Sequence, residues 1–573
     1  MIPGALEVLV TEEEVHSGAA LEKENFTVNV VYSDGSRTKL QPEDYTLTPD
    51  TAVDSAGPMD VTVQWTEGNL EATVTLNVVG EIEITREMVE AGVTDAETGK
   101  VVDIKSGDVT IPEYIIWEGN EYQVVGIGDY AYGGEVSADA NQKLTGIHFP
   151  DSIRRIGDYA FKFCRNLTGT LELPEGLTEI GEGAFHGCNG YTGDLIIPSN
   201  VTSIGDSAFY NCYGFDGTLK IPNSVTSIGA NAFGYCSGFT GDLIIPNSIT
   251  VIEADTFSYC SGFTGKLVIP DGVTSIGNRA FSGCSSFTGK LTIPNSVTSI
   301  KGYAFRQCSG FTGDLIIPDS ITTIEGGAFA YCSGFTGKLI IPDSITSIKN
   351  DVFSHCSGFT GKLTIPDSVT SIGDSAFSSC SGFTEDLIIP DNVTSIESFA
   401  FLNCSGFTGE LKLSPSLSII KEGSFKGCSG FTGTLVIPNS VEEIEGDELG
   451  ISASPGAFEG CTGIETLTLR EGLEIIGTNA FNGCTGIKEL VIPKSVTLIR
   501  GRAFANCTGL TGTLIIPAGV TINDPVQTEI DDFVGTTAPG TFEGCTGLET
   551  LVIEDGAKKI GKRAFYGCTG LQG

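Results

Sequence analysis

The sequence predicts a mainly β fold, in which a solenoid of stacked repeats with a parallel sheet follows a small β-sandwich. Three observations predict it: 17 cysteines spaced mostly 24 residues apart, a phenylalanine three residues before each cysteine, and a different pattern in the first 79 residues, where apolar and polar residues alternate. Self-similarity at a fixed period of about 20–50 residues is typical of repeat architectures. A solenoid follows because one such unit cannot bury its apolar face alone, so neighbouring units stack.

The cysteines set the length of the repeat. They lie at residues 164, 188, 212, 236, 260, 284, 308, 332, 356, 380, 404, 428, 461, 484, 507, 545 and 568. The spacing is 24 through Cys428 and then 33, 23, 23, 38 and 23. A degenerate copy lies upstream, where Ala131-Tyr132 replaces Ala-Phe and Glu135 replaces the cysteine. We therefore expect about 18 repeats of 23–24 residues, each forming one rung of the solenoid.

Each unit divides into a strand and an opposite wall. In a central unit, Leu363-Thr364-Ile365 alternates as a short strand, with the leucine and isoleucine facing inward. Pro366 then ends the strand where no backbone donor is needed. The segment from Ala376 to Cys380 is predicted to form the opposite wall on a short helical or 3₁₀ turn. Stacked strands of this kind lie roughly 4.8 Å apart in a parallel sheet.

Phenylalanine and cysteine share one phase of the repeat, which predicts a buried structural ladder. In the central units this ladder comprises Phe233, Cys236, Phe257, Cys260, Phe281, Cys284, Phe305, Cys308, Phe329, Cys332, Phe353, Cys356, Phe377 and Cys380. A zinc site needs closely spaced thiolates, and no two cysteines lie closer than 23 residues. Disulfides between neighbouring rungs remain an alternative, but the shared phase favours buried thiols that pack as small hydrophobes.

The middle residue of each strand is predicted to face water on the concave side. In the central units these residues are Ile244, Val268, Thr292, Ile316, Ile340, Thr364 and Ile388. Two positions earlier runs a ladder of charges: Asp194, Asp242, Lys266, Lys290, Asp314, Lys338, Lys362, Asp386 and Glu410. β-Branched residues suit any sheet, but so long an apolar strip is typical of an interaction site. We hypothesise that the strip binds an extended protein or glycan through repeated weak contacts. A single specific pocket would require one unit that differs from its neighbours, and the central units hardly differ.

Residues 1–79 are predicted to form a separate β-sandwich. Phe26, Val28 and Val30 alternate with polar residues, and Ser33-Asp34-Gly35-Ser36 has the composition of a turn. The segment resembles a bacterial Ig-like domain, with VVYSDGS and ATVTLNVV as the matching pieces. That resemblance implies a spacer or stalk. Residues 80–126 are predicted to be a linker and N-terminal cap, and residues 127–573 the solenoid.

The repeat resembles the BspA-like (Treponema pallidum type) leucine-rich repeat. The pattern L-x-x-L-x-L-P-x-x-L-x-x-I-G-x-x-A-F-x-x-C is matched by IETLTLREGLEIIGTNAFNGC at 464–484, and the resemblance covers about residues 108–573. The extra residue in the 24-residue units departs from that pattern and is predicted to change the curvature but not the fold. The resemblance implies a leucine-rich-repeat solenoid on a secreted or surface-attached bacterial protein, and a role as an adhesin.

Charge and hydropathy exclude several classes of protein. Lys and Arg total 32 against 72 Asp and Glu, a formal net charge of −40, so nucleic acid is not expected as a partner. No stretch of about 20 apolar residues occurs, so no membrane insertion is predicted within this segment. The start, Met1-Ile2-Pro3-Gly4, lacks the features of a signal peptide. Given the resemblance, we expect that a leader has been removed.

Few residues are candidates for chemistry. The histidines, His16, His148, His186 and His355, occupy four different contexts without a recurring ligand beside them. We therefore predict no catalytic residue, no metal, no cofactor and no enzyme. The period breaks at 445–456 and 523–541, and such insertions often mark a binding side. Their acidic residues lack the spacing of an EF-hand, which favours solvated loops over a Ca²⁺ site: Glu445, Asp447, Glu448, Asp524, Glu529, Asp531 and Asp532.

The expected function is binding at a bacterial cell surface, outside the cell. The predicted partners are protein or polysaccharide on a host or neighbouring cell, and self-association also stays open. The alternative is a structural stalk that displays another module. It rests on the last unit, which stops partway through a repeat at Cys568-Thr569-Gly570-Leu571 and leaves further repeats, an anchor or a catalytic domain to follow.

Overall fold

A computed structural model describes residues 3–10, 14–16, 21, 23, 26–33, 36–48, 56–67, 69–136, 140–446, 455–522 and 540–572. The chain divides into two compact units. Unit 1 comprises Met1–Phe215 and Lys220–Ser227, and unit 2 comprises Asp216–Leu219 and Ile228–Gly573. The predicted fold class is confirmed, because the described residues are mainly short β-strands that pair in parallel through the repeats.

The first seven strands pair antiparallel with one another, except for the second, which pairs in parallel with the seventh. They are β1 (Pro3–Val10), β2 (Glu14–His16), β3 (Phe26–Tyr32), β4 (Arg37–Lys39), β5 (Tyr45–Thr48), β6 (Gly57–Trp65) and β7 (Glu71–Ile84). β3 pairs antiparallel with β1 and β4, and β6 pairs antiparallel with β5 and β7. Alternate side chains enclose a core that includes Phe26, Val28, Val30, Val61 and Val63. This pairing agrees with a sandwich, and its Ig-like identity stays a prediction.

A second set of elements leads into the repeats. They are α1 (Arg86–Ala91), β8 (Val93–Asp95), β9 (Val101–Val102), β10 (Gly107–Thr110), β11 (Tyr114–Trp117), β12 (Asn120–Ile127) and β13 (Leu144–His148). A 3₁₀ helix (Pro42–Asp44) lies earlier, between β4 and β5. Helix α1 begins after Thr85, whose side-chain oxygen accepts a hydrogen bond from the Met88 N–H at 3.3 Å. The end of β7, from Gly80 to Ile84, pairs in parallel with β12. A single strand therefore runs across residue 79, and the predicted domain boundary there stays a prediction.

The strands of the repeats fall into two rows. The first row, at the predicted position, contains β16 (Leu195–Ile196), β18 (Leu219–Lys220), β20 (Leu243–Ile244), β22 (Leu267–Val268), β25 (Leu315–Ile316), β27 (Leu339–Ile340), β30 (Leu387–Ile388), β32 (Leu411–Lys412), β34 (Thr434–Val436), β36 (Thr466–Thr468), β39 (Gly512–Ile516) and β41 (Leu548–Ile553). The second row contains β14 (Arg155–Ile156), β15 (Glu179–Ile180), β17 (Ser203–Ile204), β19 (Ser227–Ile228), β21 (Val251–Ile252), β23 (Ser275–Ile276), β24 (Ser299–Ile300), β26 (Thr323–Ile324), β28 (Ser347–Ile348), β29 (Ser371–Ile372), β31 (Ser395–Ile396), β33 (Ile419–Ile420), β35 (Glu443–Ile444), β37 (Ile475–Ile476), β38 (Leu498–Ile499), β40 (Thr521–Ile522) and β42 (Lys559–Ile560).

The main parallel sheets lie in the second row, eight residues further along than predicted. In unit 2 the second row forms sheets of four, three and six strands, whereas the first row forms only two-stranded sheets. Leu363-Thr364-Ile365 alternates as predicted but forms no strand, while Ser371–Ile372 does. Pro366 does not account for this difference, because Pro318 and Pro342 follow β25 and β27, which pair as strands.

The opposite wall is built from turns, so the predicted helical or 3₁₀ turn is wrong. The Ala376 and Ser378 N–H groups donate to carbonyl oxygens three residues back, at 3.3 and 3.0 Å. The Phe377 and Ser379 N–H groups donate instead to the following rung, at 2.8 and 2.6 Å. Ser375 and Ser379 have left-handed φ angles of 53° and 61°, which turn every second donor out of the rung. Within the described part of the repeats, this wall contains no helix.

Two columns of stacked phenylalanine rings fill the interior of unit 2. From Phe233 to Phe377, consecutive ring centroids lie 5.4–5.9 Å apart with planes within 19°. A second column, from Phe239 to Phe431, has spacings of 5.3–6.1 Å. The sequence analysis did not single out the second column, which comes from the Gly-Phe-Thr of the 24-residue units. Each stacked pair adds about 0.5–1.5 kcal/mol beyond the burial of its area.

The cysteines lie beside the first column, and their thiols act as buried donors. From Cys260 to Cys568, each Sγ lies 3.0–3.2 Å from the carbonyl oxygen of the phenylalanine one rung earlier. All 17 cysteines are buried and free. Burial raises the pKa of thiols such as Cys284 and Cys356 to about 12, so they stay protonated and keep the proton that they donate.

Candidate functional site

The predicted strip lies on the outside of unit 2. Ile244, Val268, Ile316, Ile340 and Ile388 expose 57%, 43%, 54%, 45% and 39% of their surface. The residues on either side of each in the chain are buried, because successive side chains of a strand point to opposite faces. The two remaining members, Thr292 and Thr364, are also exposed. We refer to these seven residues as the strip.

The strip repeats every three rungs rather than every rung. The two-stranded sheets β20–β22 and β25–β27 are followed by β30–β32, so that paired strands recur 72 residues apart. Between these pairs lie Thr292 and Thr364, which belong to no strand. The outward residues therefore follow the order isoleucine, valine or isoleucine, threonine, and then start again. Comparing residues at a spacing of 72 would have revealed this period in the sequence.

An aspartate begins each three-rung group. The Asp314 carboxylate accepts a hydrogen bond from the Lys338 N–H of the following rung at 2.8 Å. The same contact joins Asp242 to Lys266 at 2.7 Å. It requires a glycine, since a Cβ on Gly337 would lie 2.2 Å from the Asp314 Oδ1. These aspartates, which the sequence analysis grouped with the charged ladder, thus have a structural role in joining two rungs.

Two pairs of lysines flank the strip. Lys266 and Lys290 occupy adjacent rungs, and Lys338 and Lys362 repeat the arrangement 72 residues later. All four side chains are exposed. None forms an ion pair with another described residue, although carboxylates greatly outnumber cations in the chain. Cations on adjacent rungs repel each other, so each pair provides local attraction for acidic groups of a ligand.

The histidines are not brought together by the fold. His148 Nε2 lies 3.0 Å from Asp108 Oδ1 at an exposed position. His186 packs among aromatic rings, where burial lowers its pKa to about 4. His355 stacks on Tyr331 with ring centroids 4.4 Å apart. His16 lies in β2. Each of the three described side chains has its own packing environment.

The two insertions fall largely outside the described residues, which exclude 447–454 and 523–539. Of their acidic residues only Glu445 is described, and its carboxylate lies 2.7 Å from the Lys421 Nζ. This ion pair accounts for Glu445 without a Ca²⁺ ion. Across the described residues, no group of three or more His, Cys, Asp or Glu is placed to hold a metal ion. The role predicted for the insertions stays a prediction.

Stacked parallel rungs with an inward leucine and isoleucine and an outward strip define a leucine-rich-repeat solenoid. The model of the BspA type leucine rich repeat region matches residues 135–264, 263–380, 335–449, 451–525 and 527–573, in 6 copies. The chain belongs to this BspA-type leucine-rich-repeat family. Proteins of this kind are typically binding scaffolds rather than enzymes. Among curated proteins, no significant match was found.

Solved structures include bacterial proteins with a similar fold. A leucine-rich repeat protein from Bacteroides ovatus is 25% identical, with a TM-score of 0.50 over 63% of this chain and 92% of that chain. A leucine rich cell surface protein from Faecalibacterium prausnitzii is 22% identical, with a TM-score of 0.33 over 80% and 94%. The leucine-rich repeat protein of T. pallidum is 29% identical, with a TM-score of 0.27 over 32% and 78%.

Across the described residues, no helix combines the length and the apolar character that crossing a bilayer requires.

Proposed function

We propose that this chain is an extracellular adhesion protein of a bacterial surface, and that its strip binds protein or polysaccharide on a host or neighbouring cell. The single observation that carries this proposal is the exposure of the strip. Its five aliphatic members expose 39–57% of their surface although they lie in a continuous series of rungs. Contiguous exposed apolar surface of this kind is typical of interaction sites.

The surroundings of the strip support the same proposal. The lysine pairs Lys266–Lys290 and Lys338–Lys362 border it and have no ion-pair partner among the described residues. The three-rung period presents the same combination of groups more than once. Separate weak contacts of one extended ligand with these groups then add through a high effective concentration.

The test compares two double variants on the same pair of rungs. Ile316→Asp with Ile340→Asp places two charges on the strip. Thr322→Asp with Thr346→Asp places two charges at exposed positions outside it. Labelled protein is applied to immobilised extracellular-matrix proteins, bacterial polysaccharides and whole cells. We expect the strip variant to lose binding at least about tenfold, since two buried charges at an interface cost more than about 1.4 kcal/mol, and the control to bind like the wild type.

Several outcomes would contradict the proposal. Equal retention of the two variants would remove the strip from the binding site. Failure of the wild type to bind any of these surfaces would favour the stalk alternative. Circular dichroism of both variants shows whether the fold is intact, and analytical ultracentrifugation shows whether the strip binds a second copy of the chain instead.

A further inference from the structure

The second row of strands carries a groove in unit 2. β28, β29 and β31 form a three-stranded parallel sheet, and a cleft of about 580 Å³ lies on its outer side. Sites for small ligands typically enclose about 300–1,000 Å³. The floor consists of Ser347, Ser371 and Ser395, which are half-buried, and the isoleucine after each serine is buried in the interior. Ile348 and Ile372 also belong to the lining, so the groove combines serine hydroxyls with apolar groups.

A missing side chain creates this groove. The residue after each isoleucine is Lys349, Gly373 and Glu397 on three successive rungs, and all three line the cleft. A Cβ on Gly373 would lie 2.5 Å from the Asn350 Oδ1, which accepts a hydrogen bond from the Asp374 N–H at 3.0 Å. Packing thus excludes a side chain at this position. We call the cleft the Gly373 groove, with an ammonium group at one end and a carboxylate at the other.

The polar groups of the Gly373 groove have unused hydrogen-bonding capacity. None of its three serine hydroxyls hydrogen-bonds to another described residue, and each hydroxyl can both donate and accept. The Glu397 carboxylate makes no direct ion pair in the described part of the chain, because Lys421 on the next rung, which attracts it electrostatically, is paired with Glu445. Lys349 lies 3.2 Å from Glu325 through a single Nζ–Oε2 contact, so its ammonium group has further protons to donate.

The groove breaks the repetition of the surface around it. Seventy-two residues earlier, where the strip repeats, the corresponding residues are Gly277, Lys301 and Glu325. There the middle rung carries a lysine instead of a glycine. A glycine between two charged residues occurs again at Glu253, Gly277 and Lys301. There Val251 stands in place of the first serine, so the row of three serines beside the glycine is particular to Ser347, Ser371 and Ser395. The sequence analysis expected no such odd rung.

We propose that the Gly373 groove binds one saccharide residue of a glycan. A row of hydroxyls spaced about 4.8 Å apart, with a donor at one end and an acceptor at the other, matches a ligand that carries several hydroxyls. Ile348 and Ile372 are among the lining residues, so the cleft offers apolar contact as well as hydroxyls, which suits a sugar ring with hydroxyls on its edge and C–H groups on its faces. Glu397 accepts hydrogen bonds from sugar hydroxyls, and Lys349 donates to an oxygen of the ligand. The proposal is independent of the strip.

The experiment measures glycan binding by the full chain. Fluorescently labelled protein is applied to an array of defined oligosaccharides, and a retained oligosaccharide is then titrated calorimetrically. Ser371→Arg fills the floor of the groove and should abolish binding. Ser299→Arg makes the same change in β24, outside the groove, and should leave the dissociation constant within about twofold. Glu397→Gln should weaken binding about tenfold, the effect of losing one charge-assisted hydrogen bond.

Three results would overturn the proposal: no oligosaccharide is retained by the wild type, Ser371→Arg binds like Ser299→Arg, or Glu397→Gln binds like the wild type. Glu397→Gln changes a half-buried surface side chain, so it keeps the test valid if Ser371→Arg fails to fold. The strip variant, Ile316→Asp with Ile340→Asp, should retain the oligosaccharide. If the strip variant still binds the oligosaccharide, a loss of binding at the strip can be told apart from a loss of binding at the groove.

Discussion

The interior and the outer surface of unit 2 repeat with different periods. Inside, every 24-residue rung of unit 2 contributes one phenylalanine to each column, and the rings follow one another at nearly constant spacing from Phe233 to Phe377. Outside, the strip and its aspartates recur only every 72 residues, as in Asp242 and Asp314. The fold therefore requires the same buried residue types in each successive rung. The exposed residues, in contrast, can differ between neighbouring rungs and repeat only after several of them.

The largest expected effect tests the interior. Phe305 is buried and stacks on Phe281 and Phe329 at 5.4 Å on both sides. Phe305→Ala should lower the free energy of unfolding by about 3–5 kcal/mol, through lost burial and a cavity. Ile316→Ala, at an outward position of the strip, should change it by less than about 0.5 kcal/mol. Urea unfolding followed by circular dichroism measures both. Equal effects would contradict a division between a stabilising interior and a freely varying surface.

A smaller effect tests the three-rung period. In Gly337→Ala the new methyl group would lie 2.2 Å from the Asp314 Oδ1, so we expect a loss of about 1–3 kcal/mol. Asp314→Ala alone should cost about 0.5–1.5 kcal/mol through its hydrogen bond to Lys338.

Together the two changes should cost less than the sum of the single changes, but by no more than about 1 kcal/mol. The clash with the carboxylate disappears, whereas the contacts of the new methyl group with Asp314 N and Gly313 C at 2.6 and 2.7 Å stay. A double-mutant cycle by urea unfolding measures this coupling. The equivalent pair, Asp242 and Gly265, should give the same result. If the losses of unfolding free energy simply add at both places, the aspartate and the glycine are not energetically coupled.

The smallest expected effect concerns the interior of unit 1. Tyr191 stacks on Phe215 with centroids 5.9 Å apart, and its buried hydroxyl has no hydrogen-bond partner among the described residues. Burial also raises its pKa well above the usual value. Tyr191→Phe should therefore stabilise the protein by about 1 kcal/mol and raise the melting temperature. The exposed Tyr566→Phe is the control and should change nothing measurable. A lower melting temperature for Tyr191→Phe would show that the hydroxyl is satisfied.

The sequence predicted features that depend on one rung. The Phe-x-x-Cys phase identified the buried ladder, and alternation around Thr364 identified which side chains face out. It did not place the main sheet at Ser371–Ile372, because both segments have the inward residues of a strand and only hydrogen bonding separates them. Left-handed φ angles at residues such as Ser375, set by bonds between rungs, concealed the turns of the opposite wall.

Features that involve several rungs were not predicted. The Gly373 groove depends on the absence of a side chain between Lys349 and Glu397, and the link between Asp314 and Gly337 depends on a contact between rungs. The sequence pattern of a single repeat shows neither the groove nor this link. The aliphatic part of the strip could be predicted because a side chain's inward or outward direction is a local property of the strand. The binding roles of the strip and the groove stay predictions.

The thiols that donate to phenylalanine carbonyls have a consequence for how such a chain reaches its native state. Correct oxidative folding would require 17 cysteines to choose among a very large number of pairings, a number that grows steeply with every added cysteine. A protonated thiol that is hydrogen-bonded to a backbone carbonyl oxygen is a poor nucleophile for disulfide exchange. Folding to this structure therefore requires no disulfide formation or disulfide isomerisation, and the gain or loss of repeat units would leave no cysteine without a disulfide partner.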